Sequence, residues 1–174
     1  MAGASQPQSI LFYRDVVLDL LIRWKNDGTV EQTNLIAWWV ATHCQISPSY
    51  DLATIVPCHW RRRLTRGFDH MWLLANALAK TGLIKAPTKT LKHSKPLPFL
   101  HLRAASDHHI DPGHFHTVCS VKGKRILIID DVITSGTTLR AAAAALRRDG
   151  AAEVSALTVA TARELLLPTS RTRV

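Results

Sequence analysis

Residues Ile126–Thr138 have the sequence ILIIDDVITSGTT. The apolar run at the start is typical of a parallel strand that is covered on both faces, and it predicts a strand over Arg125–Ile129. Leu139–Arg148 is rich in Ala and is followed by Asp-Gly, which often ends a helix. A further strand is predicted over Val154–Ala160. Strand, helix and strand in this order predict a βαβ unit with a parallel sheet.

The same alternation of elements continues toward the N-terminus. Apolar residues at helical spacing predict helices, and a short apolar run that ends at a proline predicts a buried strand. These elements are helices over Phe12–Trp24, Asn34–His43 and Phe68–Lys80 and a strand over Leu52–Val56. We therefore predict an α/β domain over residues 12–166, with a mostly parallel sheet flanked by helices. Residues 1–11 are expected to be disordered, and residues 167–174 to form a C-terminal tail.

Composition and charge limit the class of protein. The chain has 174 residues, of which 47% are hydrophobic and 20% are charged, as is ordinary for one globular domain. The net charge of +9 indicates an anionic partner, and charge alone leaves phosphorylated small molecules and nucleic acid both open. The first residues lack the pattern of a signal peptide, and no apolar stretch is long enough to cross a bilayer. We expect a cytoplasmic protein without membrane contact.

The turn after the predicted strand over Arg125–Ile129 has the features of a phosphate-binding loop. Ligands of open α/β sheets bind at the carboxyl ends of the strands. A loop that enters a helix N-terminus directs several backbone N–H groups at one point, where the helix dipole favours an anion. Hydroxyl donors, and a glycine that lets the backbone approach the ligand, are provided by Thr134, Ser135, Gly136, Thr137 and Thr138.

Two adjacent acids, Asp130 and Asp131, precede this turn. They would repel a phosphate, so we expect them to face another part of the ligand. An ionised carboxylate only accepts hydrogen bonds, and sugar hydroxyls are natural donors to it. A phosphate pocket with two acids beside it therefore matches a ribose 5-phosphate. The alternative is that the acids cap the following helix and that the Thr and Ser residues only form its turn.

These thirteen residues resemble the signature of the type I phosphoribosyltransferases, which is an apolar run, two acids and a Thr/Ser/Gly turn. The resemblance implies a catalytic site in which Asp130 and Asp131 bind the ribose 2- and 3-hydroxyls. It implies that residues 134–138 bind the 5-phosphate. The implied ligand is phosphoribosyl pyrophosphate or a nucleotide, and phosphoribosyl pyrophosphate is normally presented with Mg²⁺, so the protein needs no metal cage of its own.

A second segment, Ile55–His59 with Arg61–His70, resembles the ComF subfamily, which is linked to competence and gluconate-uptake proteins. Asp69 and His70 replace the usual Asn-Gln of that subfamily, and its N-terminal CxxC zinc ribbon is absent from this sequence. The loop after Val56 should lie beside the first loop, and guanidinium groups suit a pyrophosphate. We predict pyrophosphate contacts from Arg61, Arg62, Arg63 and Arg66. A solvated basic loop and a nucleic-acid patch are the alternatives.

Residues 87–120 are rich in Pro, His and Lys and follow no steady period. Long irregular insertions are often functional loops, and this one resembles the flexible hood of phosphoribosyltransferases. We expect Lys92, Lys95 and Arg103 to close on bound pyrophosphate and to exclude water. The histidines of this segment have no spacing typical of a metal site, so no protein ligand to a metal is predicted.

The expected activity is transfer of a phosphoribosyl group to an acceptor, with release of pyrophosphate through an oxocarbenium-like transition state. One alternative is a non-catalytic protein that senses the metabolite or a nucleotide. Another is a ComF-type DNA-uptake factor that binds single-stranded DNA, in keeping with the net charge of +9. Trp38-Trp39 is a candidate interface patch for a homodimer.

Overall fold

The computed structural model describes residues 8–12, 15–44, 46, 50–58, 67–94 and 112–161. Its centre is a sheet of four strands in the order β1-β6-β5-β2, and all neighbouring strands are parallel. The strands are β1 Gln8–Phe12, β2 Leu52–Ile55, β5 Arg125–Ile133 and β6 Glu153–Thr161. Because β2 and β5 are parallel neighbours, the segments that follow them leave the same edge of the sheet.

Helices cover both faces of this sheet. Those in the described residues are α1 Asp15–Asp27, α2 Val30–His43, α3 His70–Lys80 and α4 Thr137–Arg148. A capping box begins α2: the Thr29 hydroxyl accepts the N–H of Gln32, whose side chain accepts the N–H of Thr29. α4 connects the parallel strands β5 and β6, which is the predicted βαβ unit.

A second, smaller sheet lies beside the first. It consists of β3 Leu91–His93 and β4 Phe115–Thr117, which are antiparallel, and a 3₁₀ turn over Pro112–His114 precedes β4. Phe115 is fully buried and packs in the same cluster as α4. This small sheet therefore closes the base of the predicted hood, whose residues 95–111 lie outside the described residues.

The hydrophobic core has two layers, one on each face of the parallel sheet. Side chains from α1, α2 and α3 pack on one face, and side chains from α4 and the small sheet pack on the other. β5 serves both layers, since Leu127 and Ile129 belong to the first and Ile126 and Ile128 to the second. A strand covered on both faces needs an uninterrupted apolar run, which explains the sequence of residues 126–129.

The structure confirms the predicted α/β class with a parallel sheet flanked by helices. The expected disorder over residues 1–11 is wrong for residues 8–11, because these belong to β1. Phe12 ends that strand, so the helix predicted from Phe12 begins instead at Asp15. Residues 1–7 and the predicted tail over 167–174 lie outside the described part of the chain.

β5 is longer than predicted. Its backbone continues to pair with β6 beyond Ile129, through Asp130 and as far as Ile133. The two acids therefore belong to the strand itself, and the turn begins only at Thr134.

The Trp38-Trp39 pair does not form one exposed patch. Trp38 is 57% exposed on α2, whereas Trp39 is half-buried beside the ring of His43. None of the helices in the described residues is long and apolar enough to span a membrane.

Candidate functional site

The carboxyl ends of β2 and β5 meet at one edge of the parallel sheet. The two strands pair in register as far as Ile55 opposite Ile129. Just beyond, the N–H of Val56 donates to the carbonyl of Ile129 at 3.2 Å, so the chain leaves β2 beside Asp130. The segment that leads to the predicted pyrophosphate loop therefore leaves β2 beside the acids, while β5 continues to Ile133 before the predicted phosphate loop.

The Asp131 carboxylate is held by side chains from two helices. Lys25 Nζ on α1 lies 2.9 Å from Asp131 Oδ2, and His70 Nε2 on α3 lies 3.1 Å from the same oxygen. The other oxygen, Oδ1, accepts the N–H of Val132 at 2.6 Å. Only 16% of the Asp131 side chain is exposed, so water screens these charges weakly.

Asp130 lies next to this cluster in a different electrostatic environment. Burial raises the pKa of its carboxyl group above the ordinary range, and the negative charge of Asp131 raises it further. Burial also pushes the pKa of Asp131 upward, but the hydrogen bond from His70 and the charge of Lys25 outweigh it and bring this pKa below the ordinary range. Asp131 therefore keeps its negative charge, while Asp130 takes up a proton more readily.

The structure shows what Asp69 and His70 do in place of the Asn-Gln of the ComF pattern. Asp69 is the N-cap of α3, and its Oδ1 accepts the N–H of Trp72 at 3.1 Å. Asn caps helices as well as Asp does, so this replacement keeps the cap. His70 contacts Asp131 through a ring nitrogen, where a glutamine amide could also donate.

The turn from Thr134 to Gly136 leads directly into α4, of which Thr137 and Thr138 are the first two residues. Gly136 is the N-cap residue, has a φ of 71°, and provides no side chain to cap the helix. Ser135 Oγ lies 2.8 Å from Thr137 Oγ1 and accepts the N–H of Thr137 at 3.3 Å. Thr134 and Ser135 are exposed, so the turn faces solvent. The first backbone N–H groups of α4 consequently lie under an open, hydroxyl-rich turn.

Arg140 lies in the first turn of α4 and folds back over this loop. Its guanidinium donates to the carbonyl of Ser135 at 2.8 Å and to Thr137 Oγ1 at 3.2 Å. A cation in the first turn lies at the positive end of the helix dipole, where it is unfavourable unless an anion is close. Since Arg140 is exposed, it adds positive charge at the mouth of the loop.

The other predicted site residues fall mostly outside the described part of the chain. Lys92 is exposed on β3, in register with His116 of β4. His93, its neighbour, contacts the carbonyl of Pro57 through Nε2 at 3.0 Å and thereby links the small sheet to the segment after β2. The remaining predicted residues, which are Arg61, Arg62, Arg63, Arg66, Lys95 and Arg103, lie outside the described residues.

Sequence reasoning assigned no role to Lys25, His70 or Arg140. Lys25 and His70 lie far from Asp131 along the chain, and no local pattern connects them to it. Arg140 did have a local signal, since it follows Gly136 by one helical turn and its guanidinium reaches back over the loop.

The chain matches a known protein family in the region of this site. Residues 81–172, more than half of the chain, match the family model described as phosphoribosyl transferase domain. No curated protein matches the chain.

Several solved structures are also similar to the chain. One is the allosteric regulatory enzyme of purine biosynthesis, with 20% identity, coverage of 76% of this chain and 26% of that one, and a TM-score of 0.47. Phosphoribosylpyrophosphate synthetase from Mycobacterium smegmatis has 17% identity, with 75% and 33% coverage and a TM-score of 0.40. HGPRT-ase from Leishmania tarentolae in complex with GMP has 16% identity, with 80% and 73% coverage and a TM-score of 0.38. The chain thus spans 26% and 33% of the length of the first two proteins.

The matched residues include both acids, the turn and α4, whereas Lys25 and His70 precede them. The match therefore covers the strand, the turn and the helix described above. On this match, the chain belongs to the phosphoribosyl transferase domain family.

Proposed function

We propose that this protein binds phosphoribosyl pyrophosphate together with Mg²⁺ and transfers its phosphoribosyl group to an acceptor. The bond from ribose C1 to the pyrophosphate oxygen breaks, a bond from C1 to the acceptor forms, and the acceptor gives up a proton. The transition state is expected to be oxocarbenium-like, as in other glycosyl transfers.

The observation that carries the proposal is the N-terminus of α4, whose N-cap residue Gly136 has no side chain, on the turn that follows the strand with the acid pair. α2 and α3 are capped by side chains of Thr29 and Asp69, whereas Gly136 gives α4 no such cap. Uncapped N–H groups at a helix N-terminus attract an anion, and Arg140 adds a positive charge beside them. These features suit the 5-phosphate of a ribose.

The neighbouring positions suit the other parts of the ligand. Asp130 and Asp131 are acceptors for the two ribose hydroxyls, at the strand end that leads into the phosphate loop. The segment after β2 begins beside them, which supports Arg61, Arg62, Arg63 and Arg66 as the pyrophosphate contacts. We further propose that Lys92, Lys95 and Arg103 close over the ligand from the hood.

Mg²⁺ is expected to enter with the pyrophosphate and to be held mainly by phosphate oxygens and water. Within the described residues, no group of three His, Cys, Asp or Glu side chains could hold a metal ion. When bound, the metal would neutralise the charge that develops on the leaving pyrophosphate.

A second candidate is a non-catalytic ComF-type factor for DNA uptake or metabolite sensing. The net charge of +9 favours it, because basic proteins bind single-stranded DNA through phosphate contacts. Such binding should weaken steeply as the salt concentration rises. Cytoplasmic location is part of both candidates.

Calorimetric titration of phosphoribosyl pyrophosphate with Mg²⁺ tests the first candidate. The variants are the Asp130→Asn/Asp131→Asn double mutant and Asp51→Asn as a matched control. Asp51 is an exposed carboxylate paired with Arg125 at the opposite end of β5, 3.2 Å from its guanidinium. We expect wild type and Asp51→Asn to bind and the double mutant to lose binding by at least tenfold.

If the wild type binds phosphoribosyl pyrophosphate, the next measurement is pyrophosphate release in the presence of a panel of purine and pyrimidine bases. Release with one base establishes transfer and names the acceptor. Binding without release from any base favours sensing. Absence of binding to folded wild type, together with salt-sensitive binding of a single-stranded oligonucleotide, would replace the first candidate by the DNA-uptake factor.

A further inference from the structure

Asp131 uses most of its hydrogen-bonding capacity within the protein. An ionised carboxylate has about four acceptor positions, two on each oxygen. Lys25 and His70 occupy both positions of Oδ2, and the N–H of Val132 occupies one position of Oδ1. About one position, on Oδ1, is then left for a ligand.

The two donors, Lys25 and His70, lie on helices that pack in the hydrophobic core. His70 is 5% exposed, and its ring meets that of Trp24 edge-on at 5.2 Å between centroids. Trp24 is fully buried and donates from Nε1 to Thr33 Oγ1 at 3.0 Å. Lys25 follows Trp24 in α1, so the same contacts hold its backbone in place. Both donors are therefore fixed by the core on the α1–α3 face of the sheet.

From these contacts we propose that Lys25 and His70 are positioning residues, which fix the Asp131 carboxylate so that it accepts one hydroxyl of a ribose phosphate. The inference rests on the proposed function and assigns roles to two residues that lie before the matched family residues. Neither residue needs to touch the ligand, because each acts through Asp131.

Fixing the carboxylate has a chemical purpose. An unheld carboxylate would be free to rotate, and its negative charge, which raises the pKa of Asp130, would move with it. Two donors on one oxygen prevent this rotation and keep the charge in place. The remaining acceptor position then discriminates a sugar that carries the hydroxyl from one that lacks it.

Four variants separate positioning from simple packing. His70→Gln keeps a hydrogen-bond donor and His70→Leu removes it, while Lys25→Arg keeps the positive charge and Lys25→Met removes it. Tyr50→Phe is the matched control, because it removes the hydroxyl that accepts the N–H of Lys85 at 2.7 Å, before the start of β2 and away from Asp131. The probes are ribose 5-phosphate, 2-deoxyribose 5-phosphate and 3-deoxyribose 5-phosphate, measured by calorimetry, with thermal unfolding of each variant.

We expect wild type to prefer ribose 5-phosphate over one of the two deoxy sugars by about tenfold or more, the usual effect of a hydrogen bond to a charged group. His70→Leu and Lys25→Met should lose this preference, whereas His70→Gln and Lys25→Arg should retain most of it. Tyr50→Phe should lower the unfolding temperature and leave the preference unchanged.

The outcomes distinguish the inference from the function on which it rests. If wild type binds neither a ribose phosphate nor phosphoribosyl pyrophosphate, the proposed function fails and the inference fails with it. If wild type discriminates between the sugars and His70→Leu and Lys25→Met discriminate equally well, the inference alone is overturned. The same holds if Tyr50→Phe abolishes the preference as fully as they do.

Discussion

His70 Nε2 lies 3.1 Å from Asp131 Oδ2, so the first residue of α3 contacts the acid pair near the end of β5. The contact joins α3 to the carboxyl end of β5, where the proposed site lies. A change in the ionisation of either acid should therefore alter the stability of the fold as well as ligand binding.

Asp130→Asn should stabilise the protein at alkaline pH. The pKa of Asp130 is raised in the folded state, so the folded chain holds this proton longer than the unfolded chain does. Its contribution to stability is therefore lost as pH rises from about 4, the ordinary carboxyl value, through the raised folded value. We expect a gain of about 1–2 kcal/mol at pH 8 and none at pH 4. Urea unfolding at both pH values measures this, and a variant less stable than wild type at pH 8 would contradict it.

Asp131→Asn should have the opposite effect. The pKa of Asp131 is lowered, so its contribution is fully present above about pH 4 and is lost as pH falls through the folded value. The variant leaves Lys25 and His70 facing a neutral amide, and we expect it to cost about 1–3 kcal/mol at pH 7. The cost should shrink toward pH 3, where wild type begins to lose the same charge. Asp51→Asn, an exposed acid, serves as the control, with a much smaller effect at pH 7.

Gly28→Ala should destabilise the end of α1. A Cβ at this position would collide with the backbone carbonyl oxygen of Trp24 and lie 2.8 Å from Cδ1 of its indole. We expect a loss of about 1–3 kcal/mol in the free energy of unfolding, together with weaker ligand binding because Lys25 shifts with Trp24.

Gly82→Ala provides the comparison for Gly28→Ala. Its φ of 81° strains an alanine, but nothing lies within 4 Å of the added Cβ. Backbone strain alone should cost about 1–2 kcal/mol and leave ligand binding unchanged. Equal effects of both variants on binding would show that the end of α1 does not position Lys25.

Arg140→Met should weaken binding of ribose 5-phosphate by about tenfold, because a charge-assisted contact to phosphate is lost. The dependence of affinity on salt concentration should also become shallower. Arg147→Met is the control, since Arg147 lies in the last turn of the same helix, away from the turn that Arg140 covers. Equal loss of affinity in both variants would indicate a general effect of charge and would remove Arg140 from the site.

The sequence alone predicted the features that depend on residues close to one another along the chain. The apolar run over 126–129 predicted a covered strand because β5 packs on both faces, and the Asp-Gly after Arg148 predicted the end of α4. The turn after β5 was predicted in the same way, although Thr137 and Thr138 belong to α4. Local composition is sufficient for such elements, since backbone geometry and nearest neighbours determine them.

The features that sequence could not predict depend on contacts between distant residues. β1 is short, and its partner Leu157–Thr161 lies at the other end of the described chain, so Phe12 was assigned to a helix. β5 extends through the two acids because it pairs with β6 there. Charged residues do not indicate a strand, so the sequence did not predict this extension. Lys25, His70 and Asp131 come from α1, α3 and β5, and only the folded chain brings them together.

The pairing of β1 with β6 has a consequence for the biosynthesis of the protein. Gln8 and Phe12 are synthesised before α1 and the elements that follow it, yet their partners Leu157 and Thr161 are added only after α4. During translation β1 therefore has exposed, unsatisfied backbone groups while β2, β5 and α4 are able to assemble around the acid pair. Because such long-range strand pairing is slow and leaves strand edges open to aggregation, we expect β1 docking to be the last step of folding and the step most dependent on chaperones.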